Sequence, residues 1–139
     1  MRKVAGTFNN ESLDGPMTCR IFVFDANGVW VDGFMEELCA TDWKTQFALS
    51  LNEFKDCFVE SETDVLILRG TYDLETLEYI KSVFGEKPSC GLIWIYPRCD
   101  RLNSPYFLMA DNSVPYETSY QELIAITRSI YSMLTPTEN

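Results

Sequence analysis

The chain has 139 residues, the length of one domain, and its 46% hydrophobic and 23% charged residues exclude a disordered chain. Lys and Arg number 11 against 21 Asp and Glu, a net charge of −10, which disfavours direct nucleic-acid binding because that needs cations to displace phosphate counterions. Histidine is absent, so a His base and a His-ligated metal are excluded.

Residues 1–16 carry Gly6, Asn9, Asn10, Gly15 and Pro16 and read as an N-terminal arm or a weak edge strand. The start, Met1 to Gly6, has two positive charges but no apolar run behind them, so no signal peptide is expected. No stretch reaches the roughly 18 apolar residues of a membrane helix. Thr18 to Phe24 is β-rich, Asp25-Ala26-Asn27-Gly28 follows, and Val29-Trp30-Val31 resumes an extended pattern. The spacing predicts a hairpin closed by a Gly bulge.

Thr41 is the expected N-cap of a first helix. Trp43, Phe47, Leu51, Phe54 and Phe58 then recur at steps of four, four, three and four, which predicts one aromatic helical face. Residues 60–64 form a polar acidic link. Val65-Leu66-Ile67-Leu68 is a short, fully apolar strand, as in the middle of a sheet covered on both faces. Thr71 or Asp73 caps a second helix with the stripe Leu74, Leu77, Ile80 and Phe84 and Gly85 at its end. Leu92 to Tyr96 completes a right-handed βαβ unit. After a Pro- and Arg-rich loop, Tyr106 to Ala110 reads as an antiparallel strand and Asp111-Asn112 as a turn. A third helix opens with Ser119 and Glu122 as a capping box and runs through Leu123, Ile126, Thr127, Ile130 and Leu134 to Pro136.

The expected fold class is therefore α/β (α+β). It is a single layered domain over 1–139, with a mixed sheet of about five strands and three helices in the order β-β-α-β-α-β-β-α. That order is compatible with a thioredoxin-like arrangement, without its redox cysteines.

The five cysteines, Cys19, Cys39, Cys57, Cys90 and Cys99, are odd in number and form no CxxC pair. Cys90 and Cys99 flank a strand and lie too far apart for a disulfide. Five free thiols in a reducing, cytoplasmic setting are expected, with no cofactor and no metal. Cys99, between Arg98 and Asp100, has the cationic neighbour that lowers a thiol pKa, but no histidine base stands behind it.

Two classes of function remain. The segment Ile21-Phe22-Val23-Phe24-Asp25-Ala26-Asn27-Gly28-Val29 places an Asp at the carboxyl end of an apolar strand, two residues before a second polar side chain. It resembles the first motif of the haloacid dehalogenase superfamily. The resemblance implies a Mg-dependent phosphatase-like enzyme or degenerate relative with Asp25 as the phosphoryl-accepting nucleophile. Asn27 stands where that family carries its general acid, and Arg69 ends the strand where the family has Thr or Ser. Read as turn residues, Asp25, Asn27 and Gly28 carry no chemistry.

The preferred class is a small acidic binding protein: an inhibitor, an immunity or counter-defence protein, or a chaperone, acting on a basic protein partner. Residues 1–64 hold 12 acids and 5 bases, against 9 and 6 in residues 65–139. Glu53, Asp56 and Glu60 share one face of the expected first helix, followed by Glu62 and Asp64. Arg98 and Arg101, bracketed by Tyr96 and Tyr106, supply a second candidate surface of interface-prone residue types. Tyr116, Tyr120 and Tyr131 leave a homodimer through the last helix open.

Overall fold

The structure, a computed structural model, describes residues 18–70, 73–84, 89–97 and 110–134. Five runs form strands: β1 (Arg20–Phe24), β2 (Lys44–Ala48), β3 (Val65–Arg69), β4 (Gly91–Tyr96) and β5 (Asn112–Pro115). Four α-helices, α1 (Gly28–Leu38), α2 (Leu51–Cys57), α3 (Leu74–Phe84) and α4 (Tyr120–Leu134), and a 3-10 turn at Glu60–Glu62 complete the described elements. The sheet order is β2-β1-β3-β4-β5 and every neighbouring pair is parallel. This is one of the two common doubly wound orders.

A parallel sheet needs cover on both faces, and the strand sequences supply it by strict alternation. Ile21, Val23, Val65, Ile67, Ile93, Ile95 and Val114 meet Val31, Phe34 and Leu38 of α1 and Leu123, Ile124 and Ile130 of α4. Phe22, Phe24, Leu66, Leu68, Leu92, Trp94 and Tyr96 meet Phe54 of α2, Phe58 and Ile80 of α3 on the other face. Gly91 is required where α4 crosses β4, because a Cβ there would sit 2.6 Å from Ile130 Cγ2.

The expected α/β class, single layered domain and five-strand sheet hold; several elements differ. The hairpin over 18–31 is replaced by β1 and α1. Asn27 is an N-cap rather than a turn residue: its Oδ1 accepts from Val29 N at 3.1 Å and Trp30 N at 3.2 Å. Val29-Trp30-Val31 has β-favouring side chains, but the buried stripe Val31, Phe34, Leu38 decides for helix.

The first helix over 41–58 divides into β2 and α2. Lys44 to Ala48 pairs with Arg20 to Phe24, and Ser50 restarts the chain as a helix by accepting from Glu53 N. The even spacing of the aromatics hides three destinations. Trp43 packs on the α1/α4 side, Phe54 and Phe58 on the opposite side, and Phe47 is 44% exposed.

Asp111-Asn112 is not a turn, since Asn112 opens β5 in parallel register with Ile93. Among the described residues the sheet is thus parallel throughout and not mixed, and its order is not that of a thioredoxin-like arrangement. The expected strand at 106–110 falls outside the described residues except for Ala110, and Thr71, Gly85 and Pro136 fall outside them too. The Asp73 cap, accepting from Thr76 N, and the Ser119–Glu122 box stand as expected.

Two ion pairs fix the central register. β1 and β3 pair from Ile21↔Val65 to Phe24↔Leu68. One step beyond each end, Arg20 meets Asp64 and Asp25 meets Arg69, both 44 residues apart. A one-residue slip would break both pairs and turn every side chain to the wrong face.

Candidate functional site at the sheet switch point

Doubly wound sheets bind ligands in the crevice outside the carboxyl ends of the strands, where the strand order reverses. Here that point lies between β1 and β3. The chain leaves β1 for α1 on one face and leaves β3 for α3 on the other. Asp25 and Arg69 are the first residue beyond β1 and the last of β3.

Asp25 Oδ2 accepts from Arg69 Nη1 at 3.1 Å, with the two side chains only 6% and 10% exposed. The backbone amides of Ala26 and Asn27 lie on the side of the Asp25 carboxylate and favour its charged form. Burial raises its pKa above the ordinary carboxylate value, and outweighs the lowering by the Arg69 guanidinium and the two amides. The Asp25 amide is itself tied to β2 by donating to Ala48 O at 3.2 Å.

Two aromatic rings hold the Arg69 guanidinium. Its Cζ lies 4.7 Å from the Trp30 ring centroid and 4.1 Å from that of Tyr116. Trp30 stands in the first turn of α1, and Tyr116 follows β5, where its amide donates to Tyr96 O. Tyr120, opening α4, donates from its hydroxyl to Trp30 O at 3.1 Å and stacks on Phe34. Gly33 makes room for it, since a Cβ there would collide with the Tyr120 hydroxyl. Behind Arg69 the chain turns at Gly70, whose φ of 120° favours glycine, and Trp94 Nε1 donates to Gly70 O. The crevice thus holds a neutral pair, clasped by residues of α1, β3 and the β5–α4 connection.

The expected partner surface is not one helix face. Glu53 belongs to α2, where its carboxylate accepts from Leu49 N at 2.7 Å in a capping box with Ser50. Glu60 accepts from Ser89 N and Oγ, and Asp64 takes the Arg20 guanidinium through both oxygens at 3.0 Å. Asp56 and Glu62 are exposed. Arg98, Arg101 and Cys99 lie outside the described residues. Of the tyrosines, Tyr116 lines the crevice, Tyr120 packs on α1, and Tyr131 is half-buried. Cys19, Cys39, Cys57 and Cys90 are free thiols. Among the described residues no three Cys, Asp or Glu side chains gather to hold a metal, and no helix is long and apolar enough to cross a membrane.

Sequence reasoning singled out Asp25 and missed its partner. The signal was in the flanks of two apolar runs. Arg20 and Asp25 bracket the first at a spacing of five, and Asp64 and Arg69 bracket the second at the same spacing with charges exchanged.

No protein-family model and no curated protein sequence matches the chain. Its fold is similar to that of receiver domains. A CheY-like response regulator receiver domain from Methanospirillum hungatei JF-1 superposes with a TM-score of 0.69 at 16% identity, covering 85% of this chain and 97% of that one. The HemR receiver domain from Leptospira biflexa gives 0.68 at 14% identity, over 87% and 100%. The response regulator TrrA from Thermotoga maritima, in complex with Mg(2+)-BeF, gives 0.65 at 19% identity, over 81% and 99%.

These likenesses correct both functional expectations. The fold is that of receiver domains, so neither the acidic inhibitor, immunity, counter-defence or chaperone reading nor the phosphatase-like reading of Asp25 stands. Asp25 Oδ2 is also already engaged by the Arg69 guanidinium.

Proposed function

We propose that the chain is a receiver-type signalling module that acts through contact with a protein partner, its state set at the β1/β3 crevice. The observation that carries this reading is the position of the Asp25–Arg69 pair. It sits at the switch point of a receiver-like sheet and touches, through Trp30 and Tyr116, both the first helix and the connection to the last one. A change in this pair moves rings that α1 and α4 share, since Tyr120 bridges to Trp30 and Phe34. A packed cluster of this kind transmits a local change because its contacts cannot deform continuously.

The test is an amide chemical-shift comparison of the wild type with Asp25→Asn, which keeps the shape and removes the charge. Shifts are expected to run from residue 25 through Trp30 and Phe34, and through Tyr116 and Tyr120 into α4. Shifts confined to the immediate neighbours of residues 25 and 69 would overturn the proposal.

A further inference from the structure

The response regulator TrrA is known in complex with Mg(2+)-BeF, which poses the question whether the switch-point crevice here fits Mg²⁺. Mg²⁺ demands octahedral oxygen ligands and is usually held by one or two carboxylates together with phosphate oxygens. Among the described residues no cluster of acidic side chains forms, and the carboxylate at the switch point is that of Asp25. Its Oδ2 already accepts from Arg69 Nη1. The group beside it is a cation, where a divalent ion would need further oxygens. The described residues therefore do not fit Mg²⁺.

We infer that Arg69 is the resident cation of this crevice: its tethered guanidinium takes the place beside Asp25 that a divalent ion would need, so the module holds its state without Mg²⁺ or a phosphoryl group. The inference rests on the receiver-type reading above. Three observations support it independently of that likeness. Asp25 and Arg69 lie one step beyond the Phe24↔Leu68 pair that ends the β1/β3 ladder, so the fold itself delivers the guanidinium to the carboxylate. Trp30 and Tyr116 lie against it at 4.7 and 4.1 Å, contacts that suit a flat, weakly hydrated guanidinium and not a small hydrated ion. Arginine also stays charged throughout the physiological range, so this cation cannot be diluted away or lost by deprotonation.

The test titrates the full chain with Mg²⁺ alone, and then with Mg²⁺ and beryllium fluoride. It follows the indole ¹H–¹⁵N resonance of Trp30 and the ¹⁹F signal of bound fluoride. The wild type is expected to show no saturable shift and no bound ¹⁹F signal. Arg69→Asp, which places a second carboxylate opposite Asp25, is expected to bind Mg²⁺ at least about tenfold more tightly than the wild type. Should that variant fail to fold, Arg69→Asn supplies an oxygen ligand without a second negative charge and carries the same expectation. Saturable Mg²⁺ or fluoride binding by the wild type overturns the inference. So does a folded Arg69 variant that gains no Mg²⁺ affinity. Either failure leaves the signalling proposal standing, because that proposal is tested by shift propagation in the absence of Mg²⁺.

Discussion

Removing the guanidinium exposes what it does for the fold. In Arg69→Ala the Asp25 carboxylate, 6% exposed in the wild type, loses the cation beside it. Deleting one member of a buried pair costs about 3–5 kcal/mol, and since the Ala26 and Asn27 amides still favour the charged carboxylate, about 3 kcal/mol is expected. For a chain of this size that corresponds to a fall in Tm of about 10 °C. The deficit has a defined pH dependence. Burial already holds the Asp25 pKa above its ordinary value, and loss of Arg69 removes a group that lowers it. A carboxyl whose pKa is higher in the folded than in the unfolded state costs stability when ionised, and the cost disappears as pH falls below the unfolded value of about 4. Urea unfolding should therefore show the largest gap between wild type and variant near neutral pH and a smaller gap on acidification. Asp25→Ala should cost less, about 1–2 kcal/mol, because Trp30 and Tyr116 still face the remaining cation. The double variant should be less destabilised than the sum of the two. Equal stability of Arg69→Ala and wild type at neutral pH, or a gap that widens on acidification, would refute the reasoning.

Gly33→Ala should cost about 1–3 kcal/mol by pushing Tyr120 off Trp30 O, and Tyr120→Phe in the same chain should return part of it, measured by urea unfolding. Exposed Cys39 and Cys57 should react with a thiol reagent in the native protein. Cys19 and Cys90, whose thiol pKa values burial pushes up to about 12, should react only on unfolding. Glu53→Lys should lower stability by about 1 kcal/mol through loss of the α2 capping box, a change that thermal unfolding registers and that an uncapped exposed charge would not cause.

The half of the chain after residue 64 was the more legible in sequence. β3, β4 and α4 are marked by uninterrupted apolar runs or by a capping box, signals that depend only on near neighbours. The first half was misread because two local patterns each had two readings. Asp-Ala-Asn-Gly suits a hairpin turn as well as an N-cap, and only the burial of Val31, Phe34 and Leu38 against the sheet separates them. The aromatic series from Trp43 to Phe58 has helical spacing by coincidence, because a strand, a cap and a short helix follow one another inside it. β5 escaped notice since Asn112, Ser113 and Pro115 have no strand propensity; their place is set by pairing with β4. The site was half legible. Asp25 stood out at a strand end, but Arg69 gains its meaning only when β1 and β3 become neighbours, a pairing that local pattern does not encode. Glu53, Asp56 and Glu60 looked like one helix face for the same reason, and the partners of Glu53 and Glu60, Leu49 and Ser89, became visible only in three dimensions.

The central claim is that the switch-point crevice is filled from within by Asp25 and Arg69. The most direct measurement is a crystal structure of the wild-type chain grown with Mg²⁺ and beryllium fluoride. The account predicts Arg69 Nη1 within hydrogen-bonding distance of Asp25 Oδ2, the guanidinium between Trp30 and Tyr116, and no metal on the Asp25 carboxylate. A Mg²⁺ ion coordinated by Asp25 with Arg69 displaced from the two rings would contradict it.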